Sequence, residues 1–93
     1  MATSIRIPTA LRTFTEGRSE VSVEGRDVGE ALAAFAASYP DIRRHLYDEE
    51  GKLRSFLNVY LGDANIKSLK GLETPLESGA RLMLVPAIAG GAR

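Results

Sequence analysis

One stretch of this chain limits what the rest can become. Between Asp27 and Pro40 the apolar residues Val28, Leu32, Phe35 and Tyr39 recur at helical spacing, with Ala31 and Ala36 beside them. That is a single apolar stripe along one face of a helix. Ala33, Ala34 and Ala37 fill the remaining positions with strong helix formers. Asp27 with Glu30 three residues later fits a capping box, in which each side chain satisfies a backbone N–H near the helix start. Pro40 ends the segment, because its ring disfavours helical backbone at Tyr39. The spacing predicts a helix over 28–38. No other segment has this period at this length, so the stripe must be covered by something other than helices.

The other apolar segments alternate with period two, the sign of half-buried strands. Ser4-Ile5-Arg6-Ile7 is the first, stopped by Pro8. Thr13 to Arg18 reads as a turn. Glu20-Val21-Ser22-Val23-Glu24 alternates again, with Val21 and Val23 inward. After the helix, 41–54 is polar and irregular, with one helical turn expected at Ile42 to Leu46. Asp48-Glu49-Glu50-Gly51-Lys52 reads as a solvated turn; its carboxylates face no second acidic cluster and lack calcium-loop spacing. Phe56 to Leu61 is a strand, with Leu57, Val59 and Leu61 inward and Phe56, Asn58 and Tyr60 on the opposite face. Gly62 to Asn65 is expected to turn and Ile66-Lys67 to form a short return strand. Leu69 to Leu76 is a loop, and Glu77-Ser78-Gly79 a turn. Arg81 to Val85 is the last strand, with Leu82 and Leu84 inward and Met83 and Val85 outward. Strands before and after one helix make an α+β fold: one mixed sheet with the helix across one face and the last strand beside the first.

Composition narrows function by exclusion. The chain has 93 residues, enough for one small domain. Twelve Lys and Arg balance twelve Asp and Glu, and no charge block forms a nucleic-acid footprint. There is no run of eighteen apolar residues, so no membrane helix is expected. The first residues lack the apolar core of a signal peptide, which points to the cytoplasm. Without cysteine there is no disulfide, thiolate metal site or Cys nucleophile. The lone histidine, His45, has no partner for a metal site or a triad and reads as a partly exposed turn residue.

The chain's end carries the remaining signal. Leu82 to Val85 runs into Pro86-Ala87-Ile88-Ala89-Gly90-Gly91-Ala92-Arg93. A Gly-Gly pair has no Cβ and resists ordering, so it suits a thin thread better than a packed element. The six residues from Pro86 to Gly91 would span about 20 Å fully extended. Such a thread could enter a partner's active site while the body stays outside. A bare Gly-Gly also fits a frayed terminus. The expected division is a folded domain over 1–86 and a flexible tail over 87–93.

Three segments together carry a resemblance: Phe56-Leu57-Asn58-Val59-Tyr60-Leu61-Gly62-Asp63, Gly71-Leu72-Glu73-Thr74-Pro75-Leu76-Glu77-Ser78-Gly79, and Leu82 through Gly91. They resemble the MoaD/ThiS family of ubiquitin-like sulfur carriers, and most of all its CysO-like branch, which serves cysteine biosynthesis. The resemblance runs from Ile5 to Gly91 and implies a β-grasp fold. It also implies a chemistry. An E1-like adenylating and sulfurtransferase enzyme uses ATP to join the C-terminal glycine carboxylate to AMP. Sulfide or a persulfide then displaces AMP and leaves a thiocarboxylate. Gly91 maps to the sulfur-bearing glycine, with Ala89 and Gly90 threading behind it. In the CysO-like branch a PLP-dependent cysteine synthase accepts the sulfur and a metalloprotease releases the product. The carrier itself binds no cofactor and is a co-substrate, not an enzyme.

Ala92 and Arg93 depart from that pattern, since they lock the Gly91 carboxylate in a peptide bond. The resemblance then implies a precursor trimmed after Gly91 by a JAMM-type metalloprotease. Tyr60, Met83 and Val85 are expected to share the sheet face opposite the helix and, with Ile88, to dock partners. Two other functions fit the same resemblance: a ubiquitin-like protein modifier, and the small subunit of molybdopterin synthase.

Overall fold

The computed structural model describes residues 2–86. The expected tail, 87–93, lies outside the described residues, and with it Ile88, Ala89, Gly90, Gly91, Ala92 and Arg93.

The helix forms over Val28–Ser38 (α1), as the spacing predicts. The Asp27 carboxylate accepts the Glu30 N–H at 2.8 Å. The Glu30 carboxylate reaches back and accepts the Arg26 N–H at 2.9 Å, one residue ahead of the cap itself. That bond and the Arg26 guanidinium hold the Glu30 carboxyl below its usual range. Val28, Ala31, Leu32, Phe35 and Ala36 are buried along the stripe. Tyr39 takes a non-helical conformation, and Pro40 opens a separate 3₁₀ turn, Pro40–Ile42. A single helical turn, Arg43–Leu46 (α2), follows.

Five strands make the sheet: Ala2–Arg6 (β1), Glu20–Glu24 (β2), Leu57–Leu61 (β3), Ala64–Asn65 (β4) and Arg81–Pro86 (β5). Their order is β2-β1-β5-β3-β4. β1 and β2 form an antiparallel pair with Ile5 opposite Val21. β5 lies parallel to β1, with Ile5 opposite Leu82, and antiparallel to β3, with Val59 opposite Leu84. The last strand therefore sits beside the first and in the centre of the sheet. Ile5, Val21, Val23, Leu57, Val59, Leu82 and Leu84 line one face and are buried against α1. This is the β-grasp arrangement.

Three expectations differ from the structure. Residues 9–14 form a 3₁₀ turn (Thr9–Phe14), so the turn is confined to the residues after it. The return strand is Ala64–Asn65, not Ile66-Lys67. Gly62 has φ of +62° at the first position of a two-residue loop, so the chain reverses earlier than expected and β4 starts sooner. Ile66–Ser68 instead forms a 3₁₀ turn capped by Asn65, whose side chain accepts the Lys67 N–H at 2.9 Å. The 69–76 loop contains a further such turn, Gly71–Glu73. It is tied to the start of α1 by Val28 N–H to Thr74 O at 3.0 Å and Leu76 N–H to Arg26 O at 2.9 Å.

Candidate functional site

The site is built on β5, the last described element, which precedes the Gly-Gly end in sequence. Pairing persists to Pro86, whose partner is Leu57, and Val85 lies opposite Asn58. The β1 pairing ends at Met83, so β3 alone holds the last described residues of β5 through to Pro86.

Strand alternation sorts the side chains into two sets. Leu82 and Leu84 go inward and are buried. Met83 and Val85 go outward, Met83 at 40% exposure and Val85 half-buried. Tyr60 is the register partner of Met83 across β3, and Arg6 is its partner across β1. Paired residues share a side of the sheet, so Tyr60, Met83 and Val85 form one apolar stripe on the open face, as expected. The structure brings these three together; the fourth docking candidate, Ile88, lies outside the described residues.

Polar groups border the stripe. On the β4 side the Asn65 amide donates to the Asn58 side-chain oxygen at 3.3 Å. On the β1 side a shallow depression is lined by Ser4, Arg6, Glu20, Asp63, Arg81 and Met83. Among the described residues the one ion pair within 4.0 Å is Arg26–Glu30, at the start of α1. The charges around the stripe are therefore hydrated and open to an incoming surface. Arg6 and Arg81 were not singled out in the sequence. The same alternation that exposes Met83 would have found them, since Ser4 and Arg6 bracket the buried Ile5.

The other titratable residues have local structural roles. His45 sits on α2, half-buried, with its ring stacked on Phe14 at 4.1 Å between centroids. Its Nε2 is buried without a hydrogen-bond partner. Burial, with Arg44 and Arg54 nearby, pulls its pKa below the usual imidazole value. Asp48 accepts backbone N–H groups from Lys52 at 3.0 Å and Glu50 at 2.9 Å. Those bonds, the Lys52 one foremost, lower its pKa and use the carboxylate to close the turn. Burial raises the Tyr47 hydroxyl above its usual value. No group of three His, Cys, Asp or Glu residues among the described residues could hold a metal ion, and no helix among them is long and apolar enough to cross a membrane.

A mixed sheet clasping one helix, with its central strand leading to a Gly-Gly end past an apolar stripe, defines a ubiquitin-like β-grasp protein. The chain belongs to the ThiS family, whose model matches residues 5–91. It is similar to the sulfur carrier protein CysO of Mycobacterium tuberculosis, 36% identical over 93 residues that cover 98% of this chain and 100% of that one. It is also similar to a chain in the crystal structure of the Amycolatopsis orientalis BexX/CysO complex, with TM-score 0.86 and 37% identity over 96% of this chain and 99% of that one. The crystal structure of Haloferax volcanii small archaeal modifier protein 1 shares the fold, with TM-score 0.83 and 21% identity over 94% of this chain and 98% of that one.

Proposed function

We propose that this chain is a sulfur carrier whose working group is the main-chain carboxylate of Gly91. The supporting observation is the combination of a family match that runs to residue 91 and stops there with full-length similarity to sulfur carrier protein CysO. Ala92 and Arg93 fall beyond the match and are removed by a JAMM-type metalloprotease to free that carboxylate. The division into a body over 1–86 and a tail over 87–93 follows from the same scheme.

The chemistry proceeds by exchange of leaving groups. A free carboxylate repels nucleophiles, so an E1-like enzyme transfers AMP from ATP to one carboxylate oxygen and releases pyrophosphate. Sulfide attacks the acyl carbon, the acyl–oxygen bond to AMP breaks, and a thiocarboxylate remains. Its sulfur then attacks an electrophilic acceptor; for a PLP-dependent cysteine synthase, that is a three-carbon unit destined to become cysteine. The described part of the carrier contributes no catalytic side chain to this scheme and offers a docking face instead. The BexX/CysO complex, in which a relative is held by a second protein, supports the need for such a face. The cytoplasm, where ATP and the partner enzymes reside, is the compartment this scheme requires.

The test is intact mass. The chain ending at Gly91, incubated with the host's E1-like enzyme, ATP and a sulfide source, gains the mass of one oxygen replaced by sulfur, and the 93-residue chain does not. Conversion of the untrimmed chain refutes the processing step. High-mass conjugates to lysines in place of the thiocarboxylate refute the carrier reading in favour of a protein modifier. Stable co-purification with a large catalytic subunit refutes it in favour of a molybdopterin synthase component.

A further inference from the structure

Phe56 stands beside the end of β5, the last described residues before the tail. It immediately precedes Leu57, the register partner of Pro86. It is 45% exposed, one of three large apolar residues of the described chain that face solvent to this degree. Its neighbour Leu57 is buried in the core, so alternation turns Phe56 to the open side, where it makes no comparable contribution to packing. The Arg54 guanidinium lies 6.0 Å from the centre of the Phe56 ring, near the limit of a cation–π contact. Arg54 is held in place because its Nε–H donates to the Arg44 carbonyl at 2.6 Å. No carboxylate of the described residues comes within 4.0 Å of its charge.

Tail length fixes where a partner must touch. Gly91 lies five residues beyond Pro86, a reach of at most about 18 Å. An enzyme that acts on Gly91 in a closed active site must bring its entrance within that distance of Pro86. Its surface is therefore pressed against the rim of the exit, where Phe56 projects. An exposed aromatic ring beside a fixed cation is the kind of residue pair that anchors protein interfaces. We propose that Phe56 and Arg54 form an anchor for the adenylating partner, with Phe56 entering an apolar pocket at the active-site entrance and Arg54 meeting a carboxylate on its rim. This anchor is separate from the Tyr60–Met83–Val85 stripe, and it rests on the sulfur-carrier reading above.

Carrier purified from its own host, so that its terminus is the one the cell leaves, is assayed with the host's E1-like enzyme by ATP–pyrophosphate exchange. Phe56→Ala is expected to raise KM for the carrier roughly three- to tenfold, with kcat and thermal midpoint unchanged. Arg54→Gln is expected to raise KM and to flatten its dependence on salt, because a charged contact is lost. An unchanged KM for Phe56→Ala, with the unsubstituted carrier turning over normally, overturns the anchor and leaves the carrier function intact. If the unsubstituted carrier supports no exchange, the function fails and the anchor with it. An increase in KM matched by a lower thermal midpoint in Phe56→Leu as well as Phe56→Ala assigns the residue a folding role and also overturns the anchor.

Discussion

Met83 and Leu84 are adjacent in β5, yet substitution at each should affect a different measurement. Leu84 is 1% exposed and packed in the core, whereas Met83 is 40% exposed. Truncating a buried Leu to Ala costs about 2–5 kcal/mol in lost transfer energy and cavity. At roughly 4–8 °C per kcal/mol for a domain of this size, a cost near 3 kcal/mol lowers the thermal midpoint by about 12–24 °C. Met83→Ala removes only the apolar contact that the exposed part of the side chain can make with a partner. Fully burying a methionine is worth about 1.5–3 kcal/mol, so the exposed two-fifths is worth about 0.6–1.2 kcal/mol. That corresponds to roughly a three- to eightfold rise in KM for activation, with the midpoint moving little. Met83→Asp goes further, because docking would then desolvate a carboxylate. The assay pairs calorimetry with ATP–pyrophosphate exchange on the three variants. Equal loss of thermal stability in Met83→Ala and Leu84→Ala would falsify the assignment of the two faces, and an unchanged exchange KM in Met83→Asp would refute the docking role of the open one.

Other substitutions test the scaffold. His45 titrates at a lowered pKa when folded, so its neutral form is favoured by folding. The stability linked to it is whole above the ordinary value of 6.5 and is lost as pH falls through the lowered folded-state value. Urea midpoints measured between pH 8 and pH 5 should therefore drop less in His45→Gln than in the parent; identical pH slopes would count against the buried Nε2. Asp27→Ala removes the acceptor of the Glu30 N–H and should cost about 0.5–2 kcal/mol in chemical denaturation; a neutral result would mean the cap is redundant. Gly25→Ala would place a Cβ 2.5 Å from the Ala31 nitrogen and 2.9 Å from its Cα. Neither backbone atom can move without disturbing the first turn of α1, so a loss of about 1–3 kcal/mol is expected, and a stability equal to the parent's would show that this approach is looser than the structure has it.

Where the sequence spoke clearly, a long period or a stereochemical stop carried the signal. Val28–Ser38 was legible at both ends, because Asp27, Glu30 and Pro40 act within one turn of the boundaries. The inward and outward sets of β2, β3 and β5 were legible because alternation over five residues leaves one consistent choice of face. The 3₁₀ turns were not, since three to six residues with i→i+3 bonds leave no periodic mark. Ile66 misled for a related reason. It is apolar and buried, which suits a strand, but Asn65 captures the next turn with its side chain and ends β4 there. For the site, the stripe of Tyr60, Met83 and Val85 followed from alternation. The outward side of Phe56 followed from the same alternation, but its place beside the end of β5 did not, because that depends on the pairing of Leu57 with Pro86 across the sheet. Gly91 rests on chemistry and resemblance alone and lies outside the described residues.

β5 has neighbours on both flanks, β1 running with it and β3 against it. A pull on the chain end along the strand is resisted in shear by the β3 ladder, which runs to Pro86, and behind it by the β1 ladder over Arg81–Met83. An edge strand pulled the same way would have one ladder of bonds to carry the load instead of two. On the carrier reading proposed above, a partner that draws the chain end taut would load the sheet in this resistant direction, and the fold would survive repeated rounds of capture and release.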